Sequence, residues 1–129
     1  MKLRIKGNSL RFRLLQSEVE KLAATGSISE EIQFGSDFES LRYTLCISKE
    51  THEIAARFSG REIIVTLPER TADEWTTSDR VEIEFEQRVV DGESLNILIE
   101  KDFVCIGRTD DPDNADAFPN PKLAHSEAA

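Results

Sequence analysis

Few side chains in this sequence could do covalent or metal chemistry, and spacing decides most of the cases. Cys105 follows Asp102 and precedes Arg108, and a nearby guanidinium would lower its thiol pKa toward a nucleophilic thiolate. The same cysteine lies in Phe-Val-Cys-Ile, where it serves as a small apolar group of a buried strand. Asp110, Asp111, Asp113 and Asp116 invite a calcium loop. An EF-hand needs oxygen ligands at positions 1, 3 and 5, glycine at 6 and glutamate at 12. Counting from Asp111 puts Ala115 at 5, Asp116 at 6 and Lys122 at 12, so the pattern fails. Zinc has no better claim, since Cys46, Cys105, His52 and His125 show no paired ligand spacing. No phosphate-binding Gly-Lys-Ser/Thr, Gly-x-Ser-x-Gly or Gly-x-Gly-x-x-Gly occurs. No metal and no cofactor is expected, and a small hydrolase or metal-dependent enzyme ranks third among the readings.

The stronger chemical signal is a cluster of cations. Lys2, Arg4, Lys6, Arg11 and Arg13 fall among residues 1–15 with no acid. Alternation puts them on one face of a hairpin, with Leu3, Ile5, Leu10, Phe12 and Leu14 on the other, around Gly7-Asn8-Ser9. Such a face can receive a small anionic ligand or an acidic protein partner, a second copy included. It can equally lie beside the glutamate row 82, 84 and 86 and neutralise it across strands. The chain's net charge of −9 argues against nucleic acid and against anionic membrane, both of which need a positive field.

The elements that must hold this face follow from period changes. Val19, Leu22 and Ala23 form a helical stripe over 17–25, with Ser17 and Glu20 at capping-box spacing and Gly26 after the end. Leu41, Tyr43, Leu45 and Ile47 alternate, which turns Cys46 away from the core. "EIAARF" and "EIIVTL" form a hairpin, and Pro68 opens a second helix over 68–76. "RVEIEFE" buries Val81, Ile83 and Phe85, and Asp91-Gly92 turns it back into "SLNILIEKDFVCI". The order reads ββαββ twice, with pseudo-repeats at about 1–48 and 52–100. The expected fold is α+β: mainly antiparallel strands, duplicated ββαββ units packed as one barrel-like domain over 1–107, and two short helices. Leu3, Ile5, Phe12, Leu14, Val19, Leu22, Phe34, Leu45, Phe58, Val65, Trp75, Ile83, Phe85 and Ile97 should fill one core. Residues 108–129 form an acidic, proline-containing tail. Asp110, Asp111 and Asp113 supply its turns, and Phe118 anchors its strap portion (108–121) in a surface hollow.

Leu67, Pro68, Asp79, Val81, Glu82, Ile83, Asp91 and Gly92 form a pattern that resembles the swapped-hairpin domain of AbrB-type transition-state regulators. The resemblance implies two interlocked strand–helix–hairpin units, here supplied by one chain, and DNA contact through basic residues near the first strands. At the corresponding place this second unit has Arg61 and Arg70, but also Glu62, Glu69 and outward glutamates. The opening "MKLRIKGNSLRFRL", the "LPE" before the second helix and "IEKDFVCIGRTDD" with "FPNP" resemble a family of short, uncharacterised bacterial proteins. That resemblance implies a bacterial cytosolic origin and no particular activity. Two cysteines and a basic start without an apolar run fit the same compartment. A noncatalytic binding domain is the leading reading, and a transcription-regulator-like DNA-binding protein is the alternative.

Overall fold

The computed structural model describes residues 1–103 and 116–119. Eight strands and two α-helices follow in the order β1 (Lys2–Ile5), β2 (Ser9–Leu14), α1 (Gln16–Thr25), β3 (Ser27–Gln33) and β4 (Ser40–Ser48). They continue as β5 (Ala55–Ser59), β6 (Glu62–Pro68), α2 (Glu69–Thr77), β7 (Glu82–Arg88) and β8 (Ser94–Lys101). The fold is α+β with strands predominating, and both helices lie within a residue of their expected positions.

The strands form two four-stranded sheets, β1-β2-β8-β7 (sheet A) and β3-β4-β6-β5 (sheet B). Every sequential hairpin is antiparallel, whereas β2·β8 and β4·β6 pair in parallel. Alternation along single strands does not disclose these two parallel joints. Each sheet thus takes the first hairpin of one ββαββ unit and the second hairpin of the other. The hairpins of the two units thus alternate between the sheets, and the sheets do not close into the expected barrel.

The pairing scheme is unchanged when the two units are exchanged. The correspondence takes Ser9 to Glu62, Arg42 to Asn96 and Ser27 to Glu82, and every register follows. It also relates single hydrogen bonds outside the ladders. Arg42 N donates to Arg61 O as Asn96 N does to Asn8 O, and Ile47 N donates to Gly26 O as Lys101 N does to Val81 O. Buried residues match pairwise: Phe12 with Val65, Leu14 with Leu67, Val19 with Ala72, Leu22 with Trp75, Ile28 with Ile83, Tyr43 with Ile97 and Leu45 with Ile99. These side chains belong to one continuous core drawn from both sheets and both helices.

Three members of the expected core are exposed: Ile5, Phe34 and Phe58. Their strand parity is inward, but each sits within one residue of a strand end and is left exposed there. Ile5 and Phe58 are counterparts in the two units.

Local signals set the element ends. Gly26 (φ 85°) terminates α1, and Asp91 (φ 60°) and Gly92 (φ 76°) form the tight turn between β7 and β8. The start of α1 differs from the expected Ser17–Glu20 box. Leu15 occupies the N-cap, and Glu18 Oε1 accepts from its backbone N at 2.9 Å. The missing cap comes from the far end of the chain. Asp116 Oδ1 accepts from Ser17 N at 3.0 Å, Oδ2 accepts from the Ser17 hydroxyl, and Asp116 O accepts from Gln16 N at 2.9 Å. Phe118 continues this clip. Its N donates to Asp102 O at 2.7 Å, and its ring meets Phe103 edge-on. Asp110, Asp111 and Asp113, together with Cys105, lie outside the described residues.

One pair of sheet edges, β7 and β5, is joined by a side chain. Gln87 of β7 accepts from Ala56 N at 2.7 Å and donates to Ala56 O at 2.9 Å, so its amide acts toward β5 as a strand residue would. Gln87→Leu should leave both Ala56 backbone groups without these partners. The expected loss is about 1–3 kcal/mol, read as a lower urea midpoint at unchanged slope. An unmoved midpoint would show that the bridge contributes nothing. Asp116→Ala should remove the cap of α1 and cost about 1 kcal/mol, whereas Asp116→Asn should recover most of it.

Candidate functional site

The five expected cations share one face of sheet A. Hairpin alternation places Lys2 and Arg4 on β1 opposite Arg13 and Arg11 on β2, and Lys6 stands at the turn. Gly7 (φ 54°) lets the chain reverse there, with Ser9 Oγ donating to Lys6 O at 2.5 Å. Asn8 Nδ2 donates to Ser94 O at 2.7 Å and fastens the turn to β8.

The neutralising partner is not the expected one. Strand β8 lies between β2 and β7, so the row Glu82, Glu84 and Glu86 is one strand removed from the arginines. Parallel register instead brings Glu100 beside Arg13. Arg11 Nε and Arg13 Nε both donate to Glu100 Oε1, at 2.7 and 2.5 Å. Lys2 Nζ pairs with Asp102 Oδ2 at 3.2 Å. Nothing in residues 1–15 indicates that an acid nearly ninety positions away completes the face, because that pairing is set by the parallel joint.

Glu100 is 7% exposed. Burial works to raise its pKa, yet the hydrogen bonds and charges of Arg13 and Arg11 outweigh it and hold the carboxyl below its ordinary value. Arg4 and Lys6 make no ion pair among the described residues. With Ser9 and Arg11 they line a shallow cleft of about 310 Å³, continuous in sequence with a smaller one lined by Lys2, Leu3, Arg4, Arg11 and Arg13. The result is a polarised face, with cations on β1 and β2, Glu100 in the middle, and acids on β7.

A second buried charged side chain also escaped the sequence reading. Lys101 is 6% exposed and lies 5.6 Å from the Trp75 ring centroid and 5.5 Å from that of Phe118. Its Nζ donates to Ser78 O at 2.6 Å, at the C-terminal end of α2. Burial pulls its pKa down, and Asp79 acts against that. The available signal was parity, since Lys101 continues the inward row of Ile97 and Ile99. Cys46 faces outward as expected, with its Sγ 3.5 Å from Thr66 Oγ1. Among the described residues no group of three or more His, Cys, Asp or Glu is placed to hold a metal ion. No helix among them is long and apolar enough to cross a membrane.

The chain belongs to DUF7009, a family of unknown function whose model matches residues 1–122. This agrees with its resemblance to a family of short, uncharacterised proteins. No curated protein and no solved structure matches it.

Because the Glu100 carboxyl titrates below its ordinary value of 4.5, its contribution to stability is complete above that pH. It is lost as pH falls through the lower folded-state value. Glu100→Gln should therefore flatten the acid limb of a stability–pH curve below pH 4.5. At neutral pH the same substitution should cost about 2 kcal/mol, the scale of hydrogen bonds to a charged group. An acid limb identical in both proteins would remove Glu100 from this role.

Proposed function

We propose that this chain is a noncatalytic binding domain whose basic hairpin receives an anionic group on the outer face of sheet A. The observation that carries the reading is the register that sets Arg4 directly opposite Arg11. Like charges facing each other across strands destabilise a sheet. Glu100 compensates Arg11 and Arg13, while Arg4 and Lys6 stay uncompensated among the described residues. A phosphate or carboxylate in the cleft between Arg4, Lys6, Ser9 and Arg11 relieves that repulsion with charge-assisted hydrogen bonds. The same proposal treats the chain as one domain built by internal duplication, working in the bacterial cytosol. The matching registers and core pairs of the two units support the duplication.

DNA contact through the same hairpin is the second reading, favoured by the interlocked hairpins and the basic first strands. Against it stand the net charge of −9 and the acidic row of β7 on the same face.

Titration with pyrophosphate, followed by amide shifts and by melting temperature, tests the first reading. Saturable shifts at Arg4, Lys6 and Arg11 with a raised melting temperature are expected, because a ligand of the native state must stabilise it. Both effects should disappear in Arg4→Glu with Lys6→Glu. A salt-dependent complex with duplex DNA, lost in Arg11→Glu with Arg13→Glu and seen without any pyrophosphate response, would replace this reading with the second.

A further inference from the structure

We propose that the open end of the two sheets, away from the helices, is a contact surface for a second copy of this chain. An aromatic loop of each copy fills an apolar cleft of the other. Both helices and the Asp116–Phe118 clip lie at the end where β2, β4, β6 and β8 finish. At the other end the chain reverses through residues 6–8, 34–39, 60–61 and 89–93. Every exposed large apolar side chain among the described residues stands at that end. Ile5, Ile32, Phe34 and Phe38 come from β1, β3 and the loop after β3, and Phe58, Val89 and Val90 from β5 and the turn after β7. At 72%, 81% and 69% exposure, Phe34, Phe38 and Phe58 alone present roughly 450 Å². The four aliphatic side chains raise this toward the roughly 800 Å² per partner of a standard interface.

The exchange of units indicates how two such ends fit together. It takes Phe34 to Val89, and the loop-closing bonds agree: Phe34 N donates to Glu39 O at 2.7 Å, and Val89 N to Glu93 O at 3.0 Å. Four residues lie between that pair in the first unit and three in the second, so the first loop is longer, and it also carries Phe38. On the Val89 side a cleft of about 350 Å³ opens, lined by Leu10, Phe58, Ile63 and Leu95 with Ala56 and Gln87. On the Phe34 side the equivalents of Ala56, Gln87 and Val89 are the larger or more apolar Leu3, Ile32 and Phe34. One flank is thus an aromatic loop and the other a hollow. An apolar cavity of about 150 Å³ holds benzene, so this cleft is large enough for a phenyl ring. A two-fold rotation sets the loop of each copy against the hollow of the other and closes the assembly at two.

The charges around this end favour the same occupant. Lys6, Arg61 and Arg88 stand there beside Asp37, Glu39, Asp91 and Glu93, nearly balanced in a chain of net charge −9. A rim with both signs lets a rotated copy present cation to acid. An anionic lipid surface or a polyanion would need a field of one sign.

Sedimentation equilibrium of the whole chain tests the proposal. Wild type should be a monomer–dimer mixture whose melting temperature rises with protein concentration. Phe34→Ser with Phe38→Ser removes the rings of the loop, and Phe58→Asp spoils the cleft. Each should weaken dimerisation by about tenfold or more, as loss of an interface aromatic does. All three positions are exposed, so amide spectra should show both variants folded. An equimolar mixture of the two variants keeps one of the two loop–cleft contacts and should dimerise more tightly than either variant alone. Three results would overturn the proposal: a wild type that stays monomeric up to the concentration of an NMR sample, a dimer indifferent to both variants, or a mixture no tighter than its components. Association beyond two copies would overturn it as well, and so would adsorption of the monomer to phosphatidylcholine vesicles, which would assign the patch to lipid.

Discussion

The two parallel joints, β2 with β8 and β4 with β6, hold the molecule together. Without them each unit has only separate hairpins, and an isolated two-stranded hairpin is marginal in water. The joints put Phe12 beside Ile99 and Val65 beside Leu45, residues buried to 0% that come from opposite units. Neither unit can therefore complete a core by itself. Trp75 and Leu22, the largest helix contributions, also belong to the shared cluster. Such pairings between residues distant in sequence must overcome loop-closure entropy before they are rewarded, so cooperative assembly of both units is the physical consequence.

The interior and the surface obey the exchange of units differently. Inside, apolar matches apolar at all the paired positions named above, because close packing tolerates little change in volume or polarity. Outside, Arg11 and Arg13 correspond to Ile64 and Thr66, Glu100 to Cys46, and Lys2 to Ala55. The outer face of sheet A is thus strongly charged, while that of sheet B mixes hydroxyls and a thiol with Arg57, Glu62 and the pair of Arg42 with Glu31 at 3.0 Å. A shared core leaves each face free to differ, since exposed side chains contribute little to the interlocking itself.

What could be read from the sequence follows the range of the physics involved. Strand parity is local, so the alternation of Leu41, Tyr43, Leu45 and Ile47 told correctly that Cys46 faces outward. Turn chemistry is local too, and Gly26 and Asp91-Gly92 stand where left-handed backbone is required. The exposed Ile5, Phe34 and Phe58 mark the first limit: parity gives the side of a sheet but not whether that side is covered at a strand end. The Arg11–Glu100–Arg13 cluster marks the second. The cations were legible, but their partner depended on which strands are neighbours, and β8 rather than β7 fills that place. The cap of α1 by Asp116 lay beyond reach for the same reason, with donor and acceptor 99 positions apart.

The positions that break the exchange most sharply lie together at the end of β8. Lys101, Asp102 and Phe103 stand where the first unit has Ile47, Ser48 and Lys49. Asp102 holds Lys2 and offers its carbonyl to Phe118, Phe103 receives the Phe118 ring, and Lys101 lies near the same ring. These three side chains join the clip, the basic hairpin and the C-terminal end of α2 around one short stretch of backbone. Burying Lys101 carries a desolvation cost, visible in its lowered pKa. The Ser78 carbonyl and the Trp75 face offset part of that cost, and the Phe118 face contributes only while residues 116–119 stay docked. The clip therefore acts on the second helix as well as the first. It caps α1 through Asp116 and shields the cation at the end of α2 through Phe118, coupling both helices to a segment that neither ββαββ unit contains.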